Sequence, residues 1–371
     1  MKVGIATVHD SSNMGSFLQA FALQEVIKEN GDTPYIIKTR SRFATLCLYL
    51  GYNFAPSVRS VRSFLKFMLK SIRHPKMTAE KYKKYKIYQK DWSCFERIIP
   101  VRKANKIGLD VLLLGSDEIW NVEQPAFQNP LFYGIGIDAT RKYGYAISVG
   151  RASAEKLKAY SHLVNGIRLL QGILIRDNHT REVLKQNQIQ ISDRICDPTL
   201  QVDIKKYMRK KEDTNIPKKD YMVIYSYAID TDTEKKLRRF AREHQLFTVA
   251  VSLPQTWCDE YINCGPLDFG AILSGAKYVY TTTFHGTIFS ILYHTQFVSC
   301  PINQKVKDVL ELLGTVTYQV TPNCSYEELE EKLCMYHDYE KVEKRIEDLR
   351  LESRNLYQMY VKGENCPDAN L

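Results

Sequence analysis

The sequence predicts an α/β protein with two parallel β-sheets, each covered by helices on both faces. Short β-branched and apolar runs, such as KVGIATV near the N-terminus, alternate with longer segments of helical periodicity. Continuous apolar strands of this kind are typical of parallel sheets that are buried on both faces. A chain of 371 residues exceeds what one hydrophobic core usually serves, so we expect two domains.

The first half contains four predicted strands, each followed by a turn or a helix. KVGIATV leads through HDSSNMGS into a predicted helix over residues 17–29, and the later strands lie in DVLLLGSDEIW, KYGYAISVG and GILIRD. This half predicts an N-terminal domain over residues 1–205, with a basic helical insertion at about 41–106.

The second half repeats this alternation after a charged segment. KKYMRKKEDTNIPKKD at 205–220 contains Pro217 and lacks an apolar face, so it is the predicted linker. A second α/β set follows and predicts a C-terminal domain over residues 221–325. Residues 326–371 have apolar residues at helical spacing and predict surface helices that return to pack on the first domain.

The net charge of +10 is concentrated in one block. Residues 59–106 contain 15 Lys and Arg residues against three acids. Within the block, cations at spacings of three and four flank an apolar stripe, which predicts a basic amphipathic helix over residues 58–73. Such a helix can lie on an anionic membrane surface, line an anionic-ligand site or be a solvated face. Nucleic-acid binding is not expected, because no reader motif accompanies the charge.

Several classes of protein are not expected. No apolar run is long enough to predict a transmembrane helix, and the N-terminal apolar run is too short for a signal peptide. The nine cysteines form no C-x-x-C pair, which favours reduced thiols in a cytoplasm and argues against a metal site.

Polar residues follow the predicted strands, and ligands of parallel sheets usually bind at the carboxyl ends of the strands. After the first strand, Asn13 and Gly15 precede Ser16 and Gln19, which have the spacing of a capping box. The start of this helix would face an anionic or hydroxyl-rich ligand, although capping alone also explains Ser16 and Gln19.

The segment GSDEIWN after the second strand has two interpretations. Ser116 and Asp117 lie close to Trp120, and a carboxylate beside an indole is one way in which proteins hold sugars. The two adjacent acids of this segment, Asp117 and Glu118, could instead cap the next helix.

Two later strand ends carry basic side chains. Arg176 can clamp a carboxylate or phosphate, or form a structural pair with Asp177 or Asp197. In TTTFHGTIFSIL, Thr283 can cap the next helix and Gly286 leaves room for a ligand. His285 would then stand beside an anion at the helix N-terminus, able to donate a hydrogen bond or a proton.

These segments together resemble the polysaccharide pyruvyl transferase family. HDSSNMGSFLQAFALQ, LLLGSDEIWN, YGYAISVG, ILIRD, DPTL and TTTFHGTIFSIL occur in the order found in that family, over roughly residues 1–300. The basic block and the C-terminal helices diverge from the family. The resemblance implies two Rossmann-like domains in a GT-B-like arrangement.

The resemblance also implies a reaction. It is transfer of a pyruvyl group from phosphoenolpyruvate to a hexose, such as galactose, as a cyclic ketal, with no metal or redox cofactor. The acceptor it suggests is a saccharide, free or lipid-linked, of a capsule or exopolysaccharide. Arg176 and His285 occupy the family's phosphoenolpyruvate-associated positions, whereas Thr283 and Phe284 replace an Arg that some relatives carry. Lys38, Arg40 or the basic block would have to supply that cation.

The expected roles follow from this chemistry. Thr283 and Gly286 would bind the donor with Arg176 and His285, and His285 would also protonate the leaving phosphate. Asp117 would orient or deprotonate the acceptor hydroxyl, beside Asn13, Gly15, Ser116 and Trp120. Two alternatives stay open: a GT-B glycosyltransferase that uses a nucleotide sugar, and a non-catalytic sugar-binding component of a polysaccharide locus.

Overall fold

The computed structural model describes residues 1–53 and 60–364, which fold into two compact units. Unit 1 comprises Met1–Asp203 and Leu349–Leu371, and unit 2 comprises Ile204–Asp348. Val58 and Arg59 of the predicted basic helix lie outside the described residues.

Unit 1 is built on a parallel sheet of seven strands in the order β3-β2-β1-β4-β5-β6-β7. The strands are β1 (Lys2–Ala6), β2 (Thr33–Lys38), β3 (Ile98–Pro100), β4 (Leu109–Leu114), β5 (Ala139–Ile147), β6 (Gly172–Ile175) and β7 (Asp193–Arg194). The four strands that the sequence predicts correspond to β1, β4, β5 and β6.

The helices of unit 1 connect these strands. They are α1 (Met14–Glu29), α2 (Arg42–Leu50), α3 (Val61–Arg73), α4 (Pro75–Asp91), α5 (Val101–Ile107), α6 (Ala154–Lys158), α7 (Ser161–Arg168), α8 (Asn178–Gln186) and α9 (Pro198–Gln201). The predicted insertion thus contains helices α2 to α5, but its residues Ile98–Pro100 pair with β2 and belong to the sheet.

Helix α1 begins earlier than the sequence suggests. Its N-cap is Asn13, whose side chain accepts a hydrogen bond from the Gly15 amide at 2.9 Å. Ser16 and Gln19 therefore lie inside the helix and do not form the predicted capping box. Fourteen of the sixteen residues are buried, so α1 is a core helix covered on nearly all sides.

Unit 2 repeats the same topology on a smaller scale. Its five parallel strands, β8 (Tyr221–Tyr225), β9 (Phe247–Val251), β10 (Glu260–Ile262), β11 (Tyr278–Thr281) and β12 (Gln296–Ser299), have the order β10-β9-β8-β11-β12. Its helices are α10 (Thr231–Glu243), α11 (Phe269–Gly275), α12 (Phe284–Leu292), α13 (Gln304–Leu312) and α14 (Tyr326–Cys334). Helix α15 (Tyr339–Leu356) begins in unit 2 and ends in unit 1, and a π-helical segment (Tyr357–Lys362) follows it.

The predicted domain boundaries differ from this division in two places. The predicted linker at 205–220 is part of unit 2: Arg209 forms an ion pair with Asp268 at 2.8 Å, and Lys211 donates to the Ser274 carbonyl at 2.7 Å. At the C-terminus, residues 326–348 also belong to unit 2, whereas Tyr357 donates to Asp32 at 2.9 Å within unit 1.

In both sheets the strand order reverses direction beside the first strand. β1 lies between β2 and β4, and β8 lies between β9 and β11, which is the strand order of a Rossmann-like fold. Ala6 pairs with Leu114, and Tyr225 pairs with Thr281, so the loops that follow these strands start side by side. Ligands of such sheets bind at this reversal, beyond the carboxyl ends of the strands.

No helix among the described residues combines the length and apolar character that crossing a membrane requires.

Candidate functional site

The reversal point of unit 1 is organised around the carboxylate of Asp117. This residue is 8% exposed and has a positive φ of 83°. The Ser16 hydroxyl in α1 donates to its Oδ2 at 2.5 Å, and the Glu118 amide donates to its Oδ1 at 2.8 Å. The carboxylate is therefore held in one orientation by bonds from both sides, and it retains acceptor capacity.

Ser116 fixes this loop and is not placed to meet a ligand. Its side chain is fully buried and its hydroxyl bonds to the side-chain oxygen of Gln19, while its carbonyl accepts from Thr7 at 2.9 Å. The Gln19 amide nitrogen also donates to the Ser16 carbonyl at 2.7 Å. These contacts join α1 to the loop after β4 and do not favour the predicted acceptor-binding role of Ser116.

The two residues at the start of α1 differ from each other. Asn13 is exposed, whereas Gly15 is buried and its amide is bound by the Asn13 side chain. Of this predicted pair, only Asn13 presents a side chain to solvent. The amide of Gly15 is used for capping, which does not favour the predicted acceptor-binding role of this residue.

Trp120 is a core residue and cannot stack on a sugar. It is 0% exposed, its ring lies parallel to Tyr133, and its indole nitrogen donates to the Phe132 carbonyl at 2.9 Å. This burial does not favour the predicted acceptor-binding role of Trp120. The short segment after β4 returns the chain into the core between Asp117 and Trp120, which sequence spacing does not reveal.

Arg176 forms the structural pair that the sequence left open as an alternative. Its Nη1 lies 2.6 Å from Oδ2 of Asp197, and the two side chains are 4% and 0% exposed. Burial would lower the pKa of Arg176, but Asp197, Asp117 and Asp177 outweigh it and raise that pKa. The charge of this guanidinium is balanced by carboxylates inside unit 1. The predicted donor-binding role of Arg176 is not supported by this environment.

A second polar group follows β1 and β2. Asp10 forms an ion pair with Arg40 at 3.0 Å and accepts from the Thr45 hydroxyl at 2.6 Å. Beside it, burial lowers the pKa of His9, so this imidazole is neutral near pH 7. Tyr49 donates to the Ser11 carbonyl at 2.7 Å and fixes the same loop.

Arg40 also lines a cavity of about 240 Å³ that sequence reasoning missed. Three segments enclose this cavity: the end of β2, helix α2 and the loop after β4. Its walls combine apolar and polar side chains, including Thr39, Arg40, Leu48, Pro125, Gln128 and Asn129. The sequence offers Arg40 only as a source of positive charge, because the loop at residues 125–130 is far from Arg40 and α2 in the chain and only the fold brings it to them.

The reversal point of unit 2 is built from threonines. The Thr281 hydroxyl donates to the Tyr225 carbonyl at 2.9 Å and lies 3.0 Å from the Thr283 hydroxyl. Thr283 caps α12 by accepting from the Gly286 amide at 2.9 Å. Thr283 therefore has the capping role that the sequence predicts. Because the residue is buried, we do not retain it as a donor ligand.

Gly286 is required by packing inside unit 2. A Cβ at this position would overlap the hydroxyl oxygens of Thr281 and Thr283 and the ring of Tyr225. Packing within unit 2 thus accounts for this glycine without the predicted close approach of a ligand. The absence of a side chain instead lets the first turn of α12 lie against the end of β11.

His285 is the residue of this segment that remains partly exposed. It is the second residue of α12, and its ring packs edge-on against Phe284 with centroids 5.1 Å apart. The partial positive charge of a helix N-terminus favours anions near the first turn. His285 thus stands where an anionic group could be held, and its ring could donate a hydrogen bond or a proton to that group.

Among residues 1–53 and 60–364, no group of three or more His, Cys, Asp or Glu side chains is arranged to hold a metal ion.

The fold resembles solved structures over nearly the whole chain. A UDP-N-acetylglucosamine 2-epimerase from Listeria monocytogenes matches with a TM-score of 0.50 and 9% identity, covering 100% of this chain and 99% of that chain. The glycosyltransferase SsfS6 from Streptomyces sp. SF2575 matches with a TM-score of 0.43 and 12% identity, covering 95% and 96%. At 9% identity the match to the epimerase concerns the fold alone, and it agrees with the predicted pair of Rossmann-like sheets.

The sequence comparisons concern the family. No significant match is found among curated proteins. The sequence profile of the polysaccharide pyruvyl transferases matches residues 13–303, which include Asp117, Arg176 and His285. The chain belongs to the polysaccharide pyruvyl transferase family.

Proposed function

We propose that this protein transfers the pyruvyl group of phosphoenolpyruvate to two hydroxyls of a saccharide and forms a cyclic ketal. The observation that carries the proposal is the family match over residues 13–303. The acceptor that we propose is a hexose, such as galactose, of a capsular or exopolysaccharide repeat unit, either lipid-linked or free.

The reaction needs an acid, a base and a site for an anion. Protonation of the methylene carbon of phosphoenolpyruvate makes a methyl group and develops positive charge at C2. One sugar hydroxyl then attacks C2 and loses its proton, and the C2–O bond to phosphate breaks. The second hydroxyl then attacks C2, closes the ring and loses its proton, and the departing phosphate takes up a proton, so the products are the ketal and inorganic phosphate. Each correctly placed acid or base contributes roughly 10²–10⁴-fold to the rate.

We assign the contact with the phosphate to His285. A phosphate beside the first turn of α12 would be stabilised by the helix dipole, and the imidazole would donate to the leaving oxygen. His285→Ala should lower turnover by at least roughly 10²-fold. The exposed His162 provides the matched control, and His162→Ala should leave turnover unchanged. Near-normal turnover of folded His285→Ala would remove this residue from the mechanism.

We assign activation of the acceptor hydroxyl to Asp117. Ser16 and the Glu118 amide hold the carboxylate still, which favours a fixed direction for hydrogen bonding to a sugar hydroxyl. Asp117→Asn removes the base, and asparagine tolerates the positive φ of this position. Turnover should fall by roughly 10²-fold or more with phosphoenolpyruvate affinity retained. The exposed Asp138→Asn is the control, and equal activity of the two variants would exclude Asp117 as the base.

The cavity beside Arg40 is the proposed site for part of the acceptor. Its apolar walls suit the C–H faces of a sugar ring, and its amide and guanidinium groups suit hydroxyls. Leu48→Trp should fill the cavity and raise KM for the saccharide without changing the affinity for phosphoenolpyruvate. An unchanged KM in a folded variant would remove the cavity from the acceptor site.

The decisive assay combines the purified protein with phosphoenolpyruvate and a defined galactoside, in lipid-linked and free forms. We expect phosphate release in step with a mass gain that corresponds to a pyruvyl ketal. A melting shift with UDP- or GDP-sugars and none with phosphoenolpyruvate would contradict the proposal and favour a glycosyltransferase. Binding of the saccharide without any turnover would favour a non-catalytic role.

A further inference from the structure

Helix α3 exposes an apolar face that has no packing role within the described chain. Five large apolar side chains of this helix are between 44% and 79% exposed, namely Val61, Leu65, Met68, Leu69 and Ile72. At 3.6 residues per turn they fall on one stripe about 100° wide. We call this stripe the α3 apolar face. Such a concentration of exposed apolar side chains on one helix is typical of an interaction surface.

The opposite side of α3 anchors the helix to unit 1. Phe64 and Phe67 turn away from the α3 apolar face, and their rings lie 5.3 and 5.2 Å from the ring of Tyr52. At the N-terminus, Ser60 and Ser63 form a capping box that fixes the first turn. The aromatic side of the helix therefore packs against unit 1 and holds the helix in place. The α3 apolar face takes no part in this packing.

A basic stripe borders the α3 apolar face along one edge. Arg62, Lys66, Lys70 and Arg73 occupy the arc next to it, and all four are exposed. The helix contains no acidic residue. An apolar stripe beside a purely cationic stripe is the pattern of helices that lie in the interface of an anionic lipid bilayer.

We propose that α3 docks on the surface of a membrane that contains anionic phospholipids. The α3 apolar face would enter the boundary between headgroups and acyl chains, and the four cations would lie among the phosphates. A second copy of this chain fits less well, because two α3 helices would bring eight cations together without a carboxylate on either helix. The inference is independent of the proposed reaction, since docking can be measured without substrate.

Vesicle flotation tests the docking with two double variants and two matched controls. Wild-type protein should float with vesicles of phosphatidylcholine and phosphatidylglycerol at low salt, and not with phosphatidylcholine alone. Leu65→Ser/Ile72→Ser should abolish flotation, and Lys66→Glu/Lys70→Glu should weaken it by at least roughly 25-fold. The controls are Leu169→Ser, at a leucine that is 75% exposed, and Lys158→Glu on α6, which should both float like the wild type.

Salt provides an internal check. Raising the ionic strength from 0.1 M to 1 M shortens the Debye length from about 10 Å to about 3 Å, so binding should weaken markedly. The inference is overturned if the wild type does not float with anionic vesicles at low salt, if neutral vesicles bind equally well, or if the α3 variants behave like their controls. A dimer in sedimentation velocity that Leu65→Ser/Ile72→Ser abolishes, without vesicle binding, would also overturn it and identify a second copy as the occupant.

Discussion

The buried pair of Arg176 and Asp197 makes a quantitative prediction that decides the role of Arg176. Arg176→Met removes the cation and leaves the Asp197 carboxylate, 0% exposed, with its hydrogen bonds from the Thr199 amide and hydroxyl. Removing one partner of a buried ion pair costs about 3–5 kcal/mol, because the remaining charge stays desolvated. For a unit of this size each kcal/mol lowers Tm by roughly 2–4 °C, so we expect a decrease of roughly 6–20 °C.

The matched control is the half-exposed pair of Arg97 and Glu96. Arg97 Nη1 lies 2.9 Å from Glu96 Oε2, and the two side chains are 44% and 40% exposed. Exposed pairs of this kind contribute about 0–1 kcal/mol to the free energy of unfolding. Arg97→Met should therefore lower Tm by less than about 4 °C. Adding Asp197→Asn to Arg176→Met should recover part of the lost stability, because it removes the uncompensated charge while keeping an oxygen that can cap α9.

The assay is thermal unfolding followed by circular dichroism, with phosphoenolpyruvate binding measured by calorimetry on each folded variant. The structural role predicts a large loss of Tm in Arg176→Met and recovery in the double variant. An Arg176→Met protein that melts like the Arg97→Met control, but no longer binds phosphoenolpyruvate, would refute the reasoning. That result would restore the donor-binding role that the family resemblance implies for Arg176.

Three further predictions concern side chains inside the two units. Trp120→Phe leaves the buried Phe132 carbonyl without its donor, and the free energy of unfolding in denaturant titration should fall by about 1–3 kcal/mol. KM for the saccharide should stay unchanged, and a selective rise of KM would contradict the core role of Trp120. Gly286→Ala should lower Tm, with an overpacking cost of about 1–3 kcal/mol, because the new Cβ meets the Thr281 hydroxyl; an unchanged Tm would show that the site has room. Burial lowers the pKa of His337 to about 4. As pH falls, the unfolded chain therefore binds a proton at this histidine near pH 6.5, before the folded protein does. The stability that is present above pH 6.5 is consequently lost as pH falls towards 4. His337→Phe should flatten the dependence of Tm on pH in that window, and an identical pH profile would assign the acid sensitivity to other groups.

In unit 1 the sequence was sufficient for the continuous apolar strands, and it failed where a strand contains a proline or has only two or three residues. The strands that it indicated in unit 1 are four of the seven, and the others were missed for identifiable reasons. β2 begins with Thr33 and Pro34, and a proline argues against a strand. β3 has three residues and β7 has two, so neither contains enough residues for a periodic pattern. Their places are set by pairing with longer neighbours.

For the candidate site, the sequence predicted where the polar side chains lie along the chain but not the direction in which they point. The ends of the hydrophobic runs mark the ends of the strands, so the sequence predicted that Asp117, Arg176 and His285 follow strands at the edges of the sheets. It did not fix which of them turn outward, because one residue of rotation at a strand end exchanges the core for the surface. Arg176 and Trp120 are in the interior, whereas His285 remains partly exposed.

By itself, the amino-acid sequence determined the fold class, the family and the existence of a basic amphipathic helix, because these depend on periodicity and on the order of short motifs along the chain. Only the tertiary structure decided which carboxylate neutralises Arg176, why Gly286 must lack a side chain, and that the apolar stripe of α3 faces solvent. Each of these depends on contacts between segments that are brought together by packing, and spacing along the chain does not determine such contacts.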